Sequence, residues 1–289
     1  MKRRKFISAL AAMPLMTSAM NLQELKKMTD SFGSTAKMPV FFVGHGSPMN
    51  ALEDNSYTRS WSAMGKSVTE KPNAILVVSA HWLTQGTFVS TNPSPETIYD
   101  FGGFPAELYK QKYPAPGSPE FAKQVMQIVP EIKEDKEWGL DHGAWVVLKY
   151  LFPDAMIPVF QLSIDYYKPM QYHFDLAMRL KSLREKGVLI ISSGNIVHNL
   201  RKFFENPDAK AFEWTIEFDN WVKEKINARD FQSLIDYEKH GASAKLSVPT
   251  VDHYVPMIYS LALADNKDDI HFTNEETVAS ISMRAFRVG

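Results

Sequence analysis

The chain has 289 residues, and its 32 Lys plus Arg against 33 Asp plus Glu leave a formal net charge of −1, which excludes the basic footprint of a nucleic-acid-binding protein. Hydrophobic residues at 45% and charged residues at 22% exclude a disordered or fibrous chain and are sufficient for a sizeable core. Cysteine is absent, so disulfides, thiolate zinc sites, iron–sulfur clusters and cysteine nucleophiles are excluded together, and any metal must be held by imidazole and carboxylate.

In chain order, the basic cluster Lys2, Arg3, Arg4 and Lys5 precedes an apolar stretch to about Met16 and then the small residues Thr17, Ser18 and Ala19. This is the order of an export signal and is too short to span a bilayer. Paired Arg3 and Arg4 with Phe6 resemble a twin-arginine leader, which implies a periplasmic or exported protein; the alternative is the basic N-terminus of a cytoplasmic one. The expected organisation is a signal segment at 1–20, a polar link at 21–37 and a single catalytic domain over 38–289. No later stretch is apolar enough to suggest a membrane span, so no membrane is expected in the mature form.

Four apolar runs rich in β-branched and aromatic residues follow, at 40–43, 74–78, 157–162 and 188–192. Their unbroken apolar character predicts strands buried on both faces of a mostly parallel sheet. Helical patterns lie between and around them, at 121–129 after Ser118, Pro119 and Glu120, at 144–151 before Pro153, and at 172–184 before Gly187. The expected fold is α/β, a mostly parallel central sheet flanked by helices.

Of the eight histidines, five occupy similar settings. The first run leads into Gly44, His45, Gly46, the second into Ser79, Ala80, His81, Trp82, and the last through Ser193, Gly194, Asn195 to His198. Beyond the carboxyl ends of parallel strands is where ligands bind, so these three histidines are expected to converge on one metal site there. His142 follows Asp141 at the start of an apolar helix, and His253 lies in Asp252, His253, Tyr254, Val255, Pro256, read as a helix start with Asp252 as cap and Pro256 in its first turn. A helix N-terminus disfavours a protonated ring, and neutral imidazole is the form that ligates metal or accepts a proton. His173, His240 and His271 lack these settings and are read as structural or solvated. Trp82, Tyr99, Phe101 and Phe104 flank the candidate site and are expected to wall a flat aromatic substrate. Ser193 is not in a nucleophile elbow, and the glycines around His45 do not form a phosphate loop.

Gly44–His45–Gly46–Ser47–Pro48–Met49, Ser79–Ala80–His81–Trp82, Tyr99–Asp100–Phe101–Gly102–Gly103–Phe104–Pro105, Asp141–His142–Gly143, Ser193–Gly194–Asn195–Ile196–Val197–His198–Asn199 and Asp252–His253–Tyr254, in this order, resemble the class III extradiol ring-cleavage dioxygenases, nearest the DOPA 4,5-dioxygenase subgroup. The resemblance covers nearly all of the chain beyond residue 38. It implies cleavage of a DOPA-like catechol by dioxygen at one divalent non-haem metal, Fe(II) for activity or Zn(II) as commonly assigned in the subgroup. By the same resemblance His45 and His81 match two ligands, His253 falls where a further ligand is expected, and His198 matches a position that serves as ligand or as acid/base. His142 is a second candidate for proton transfer, and Trp82, Tyr99 and Phe101 for contact with substrate. Many relatives use two histidines and one carboxylate, and here no Glu stands at an identifiable carboxylate position. Two other functions fit the same histidines: a zinc-dependent hydrolase, and a non-catalytic metal-binding protein on the same scaffold.

Overall fold

Every residue of the strands β1 (Val40–Gly44), β5 (Val159–Asp165) and β6 (Val188–Gly194) is buried, as their continuous apolar sequences require. Together with β2 (Ala74–Thr84) they form the parallel centre of an eight-stranded sheet of order β4-β3-β5-β2-β6-β1-β10-β7. The computed structural model describes residues 36–206 and 209–289, so the leader at 1–20 and nearly all of the 21–37 link lie outside the described residues.

The edges are mixed. On one side β3 (Phe88–Ser90) runs antiparallel to β5 and parallel to β4 (Lys133–Asp135). On the other, β10 (Ala285–Val288) runs antiparallel to both β1 and β7 (Ile270–Asn274). A separate two-stranded piece pairs β8 (Thr277–Val278) with β9 (Ile281–Ser282). The hydrophobic runs predicted the parallel centre and missed these short edge strands, because the alternation in Ile270–Asn274 is too brief to distinguish from a loop.

Helices cover both faces. Alternation sends Phe41, Val43, Ile75, Val77, Leu189 and Ile191 to one face, where they share a core with α1 (Ser56–Lys66) and α3 (His142–Leu151). Around the edge lies α2 (Pro119–Ile128), against β3 and β4. The opposite face carries α4 (Met170–Arg179) and, after α5 (Leu200–Glu205), α6 (Glu213–Asn227), α7 (Phe231–Ile235) and α8 (Ala242–Ser247), the apolar α9 (Val255–Ala262), which packs on β1, β2, β6 and α4. The predicted helix at 172–184 is really two pieces, since α4 stops at Arg179 and a 3-10 turn, Lys181–Lys186, closes on Gly187 in the left-handed conformation (φ 76°).

Strand β2 departs furthest from expectation. Rather than turning after Val78, it stays extended through Thr84, with a register break against β5 between Val78 and Leu83. His81 therefore sits in an irregular stretch of strand, of the kind that re-aims side chains beside functional sites, and not in a turn. Likewise, Asp252 is no cap for α9, whose N-cap position is Tyr254 without a side-chain bond; Pro256 does fall in its first turn.

His173 of α4 is 1% exposed, and its Nδ1 lies 3.1 Å from the Tyr259 hydroxyl of α9. Burial pushes its pKa down to about 4, against a partial upward pull from Asp165. A neutral histidine in the folded state that binds a proton when unfolded contributes stability above about pH 6.5, and that stability is lost as the pH falls towards 4, by at most about 3 kcal/mol. Melting temperatures of the metal-free protein between pH 7 and 4.5 check this: the acid-induced drop is expected to be smaller in His173→Gln, and equal drops would exclude His173 as a source of the acid sensitivity.

Candidate metal centre

Five imidazoles gather beyond the carboxyl ends of β1, β2 and β6. His45 follows directly on β1, and its N–H donates to the Gly194 carbonyl at the end of β6 (3.1 Å). His81 comes from the irregular part of β2, His142 opens α3, His198 follows β6 and pairs with Ile281, and His253 precedes α9. The ring centroids of His45 lie 5.0 Å from His81, 5.5 Å from His142 and 5.2 Å from His253. The convergence expected from the sequence is present.

The orientation of the rings follows from their Nδ1 partners. His45 Nδ1 lies 3.0 Å from Ser193 Oγ, whose only hydrogen is donated to the Gly143 carbonyl (2.6 Å). The hydroxyl must therefore accept from His45 Nδ1–H, leaving a lone pair on Nε2. His253 Nδ1–H donates to the Asp252 carboxylate, and His81 Nδ1 faces Asp100 Oδ2 at 3.3 Å. All three rings thus have an acceptor at Nδ1 and an available Nε2, the arrangement that orients metal-ligating histidines.

His45 Nε2 and His81 Nε2 stand 3.0 Å apart, and one nitrogen from each of His45, His81 and His253 lies within 4.8 Å of the others. Two lone pairs at that separation repel unless a cation lies between them. Protonation is disfavoured, since burial first and the neighbouring rings second hold His45 and His253 well below the usual histidine range, and burial and His142 take His81 to about 3. Two nitrogens each about 2.1 Å from one ion would stand roughly 3.0 to 3.4 Å apart for right-angled to tetrahedral arrangements, so the pair fits a divalent metal. Nitrogen donors without sulfur suit Fe(II) and Zn(II).

His198 is placed differently. Its ring lies flat on His253, with centroids 3.4 Å apart and planes at 9°. Imidazole lone pairs lie in the ring plane, so two stacked rings direct theirs along parallel planes rather than towards one point. His198, Asp252 and His253 also bring one ligand atom each within 4.8 Å of the others, a second grouping able to hold a metal, and burial lowers the His198 pKa to about 4 against the pull of Asp252. His142 lies opposite, 3.8 Å from His81 by ring centroids. Its backbone N–H and its Nδ1 both bond to Asp100, each at 2.9 Å. Asp100 is held below the usual carboxylate range; burial pushes it up, and the bonds to His142 together with nearby His81 outweigh that.

Over the histidines opens a cavity of about 560 Å³, walled by Phe101, Phe104, Phe203, Ile281 and Met283. Phe101 sits on this wall with its ring edge-on to His142 at 5.6 Å. Trp82 and Tyr99 do not. Successive residues of β2 point to opposite faces, so when His81 enters the site Trp82 turns away, and it stacks on Trp138 at 5.0 Å. Tyr99 stands behind Phe101, and its hydroxyl is committed to the Gln111 carbonyl (2.6 Å).

Sequence reasoning assigned no role to Asn195. Its N–H donates to the His253 carbonyl (2.9 Å), its Oδ1 accepts from Gly46 N–H, and its Nδ2 donates to the Ser282 carbonyl (2.8 Å). It ties the His45 turn, His253 and the β9 wall together. Gly194 beside it leaves no room for a side chain, because a Cβ would lie 2.2 Å from the His253 carbonyl oxygen. The Asp141 carboxyl is fully buried, accepts from Ser79 Oγ (2.6 Å) and Gln161 Nε2 (2.7 Å), and caps α3 through Ala144 N–H, fixing the helix end that carries His142. For Asn195 the available signal was a short polar side chain directly after a buried strand, and for Asp141 its place at the start of an apolar helix.

Comparison with known proteins agrees with this geometry. Residues 39–283 match the family described as "Catalytic LigB subunit of aromatic ring-opening dioxygenase". The chain is 42% identical over 267 residues to an Escherichia coli protein named "4,5-DOPA dioxygenase extradiol", covering 90% of this chain and 98% of that one. A protein of the same name from Beta vulgaris is 38% identical over 78% of this chain and 86% of its own length. A crystal structure of an uncharacterized Escherichia coli K12 protein, 40% identical, superposes with a TM-score of 0.76 over 87% of this chain and all of that one. The chain belongs to the LigB family of aromatic ring-opening dioxygenases, and is an extradiol dioxygenase.

Proposed function

We propose that this dioxygenase opens the ring of a DOPA-like catechol at a divalent metal held by His45, His81 and His253. The observation that carries this reading is the convergence of the His45 and His81 Nε2 atoms with one ring nitrogen of His253, on rings whose Nδ1 partners are already fixed, beneath an aromatic-walled cavity wide enough for a substituted catechol. Fe(II) is the expected active metal and Zn(II) the alternative. A bound metal supplies the Lewis acidity that lowers the pKa of the diol and, as Fe(II), the redox capacity that reaction with dioxygen needs.

The protein's own groups supply position and proton transfer. Phe101 and Phe104 hold the ring plane and exclude water from the buried cluster. With Nδ1–H committed to Asp100, His142 has its Nε2 available to take a proton from a catechol hydroxyl, and the ionised Asp100 stabilises the imidazolium that results. His198 is neutral, lines the same cavity and acts in this reading as a second acid/base, outside the ligand set. The export reading of residues 1–20 remains a proposal resting on the basic, apolar and small-residue order of that segment.

The three ligands are tested by metal content after anaerobic reconstitution with Fe(II) or Zn(II). His45→Ala, His81→Ala and His253→Ala are each expected to lose stoichiometric metal while His198→Ala keeps it. Full occupancy in His253→Ala would sink the trio, and loss in His198→Ala would return that residue to the ligand set.

His142→Ala is expected to keep its metal but to lose about 10² to 10⁴ in kcat, read as oxygen uptake with appearance of the yellow ring-opened product on adding DOPA. A wild-type rate would remove its role. Turnover of an ester or amide without dioxygen, with zinc alone, would favour the hydrolase reading over the whole proposal.

A further inference from the structure

The cavity above the histidines has a charge pattern that bears on the substrate's side chain. Among the described residues no Lys or Arg lines it. Apart from the histidines and Asp100, which is bonded to His142, its charged lining residue is Glu53, which interacts electrostatically with Tyr57 of the same lining. Tyr57 also bonds to Glu276, so two carboxylates flank the same tyrosine, and with burial they raise its pKa. Among the described residues no cation pairs with either glutamate. Nearby, Lys149 Nζ is committed to the Ala51 carbonyl (2.7 Å) and Gln111 Oε1 (2.6 Å), and Arg201 and Lys202 line a different groove and are paired with Glu205.

A carboxylate on the substituent of a bound catechol would be desolvated against Phe101, Phe104 and Phe203, with no Lys or Arg on the lining to pair with it, Glu53 on the same wall and Glu276 bonded to Tyr57 of that wall. An ammonium there would meet Glu53 and Glu276, with aromatic faces along its path. We propose that the preferred catechol carries a protonated amine and no carboxylate on its side chain, with Glu53 and Glu276 as the specificity-determining residues. This rests on the ring-cleavage reading above and narrows it, differing from the amino acid in the relatives' names.

The test uses four catechols matched in length: dopamine (cation), 4-ethylcatechol (neutral), DOPA (zwitterion) and 3,4-dihydroxyphenylpropionate (anion). Binding to the metal-loaded full chain is measured by anaerobic calorimetry, and kcat/KM by oxygen uptake. The cation is expected to exceed the neutral compound by about fivefold and the anion by about tenfold or more in both measurements. In the double variant Glu53→Gln, Glu276→Gln the cation-to-neutral ratio is expected to fall to about one. A lead for DOPA, the propionate or the neutral compound would overturn the side-chain assignment while leaving ring cleavage standing, as would a cation preference unchanged in the double variant. Binding in the expected order without oxygen uptake would uphold the side-chain assignment and remove the dioxygenase reading.

Discussion

The site depends on one constraint, that buried imidazoles must stay neutral while presenting their lone pairs to the same point. Desolvation supplies neutrality, since His45 and His253 lie far below the usual range and His81 at about 3. Direction is supplied by three different acceptors, a serine hydroxyl, an adjacent carboxylate and a shared carboxylate. Had any Nδ1 lacked an acceptor, its ring could have carried its hydrogen on Nε2, and two N–H groups 3.0 Å apart would have turned the site inside out.

The sheet makes these acceptors available. Ser193 reaches His45 because β6 and β1 are parallel neighbours in register, with Ser193 opposite Val43 and Gly194 opposite Gly44. The same register sets the Gly194 carbonyl against His45 N–H, while the bare Gly194 lets the His253 carbonyl approach and Asn195 bind it. At Gly143 a Cβ would come within 2.5 Å of Ser79 Oγ and 3.0 Å of the His81 ring, so the absence of a side chain there lets the start of α3 close over β2. Histidines distant in sequence are thus fixed by backbone contacts between strand ends, and the positions are shared with the core rather than carried on independent loops.

Much of this was legible in the sequence because burial leaves a compositional trace. The runs at β1, β5 and β6 are apolar on both faces, and the histidines that follow β1 and β6 lie at the carboxyl end of the sheet. Legibility failed where long-range pairing overrode local pattern. Ser79 to Trp82 reads as a turn, yet pairing of Leu83 and Thr84 with β5 keeps it extended, and that extension points His81 inward and Trp82 outward. Asp252 reads as a helix cap, yet the neighbouring imidazole competes for its carboxylate and wins. The flat stacking of His198 on His253 depends on a three-dimensional angle to which sequence spacing is blind.

Charge balance gives the same answer as geometry. Two carboxylates, Asp100 and Asp252, hydrogen-bond to the clustered imidazoles, and no Lys or Arg lines the cavity among the described residues. Elsewhere in the protein the buried Asp268 and Asp219 are matched by Arg184 and Arg284, while the fully buried Asp141 accepts hydrogen bonds from Ser79, Gln161 and the Ala144 N–H. Two carboxylates with no cation beside them carry a cost that hydrogen bonds from the imidazoles offset in part. In the proposed reading, a divalent ion held by these imidazoles would redress the balance, and with neutral ligands its charge would act on the diol while the apolar wall limits competition from water.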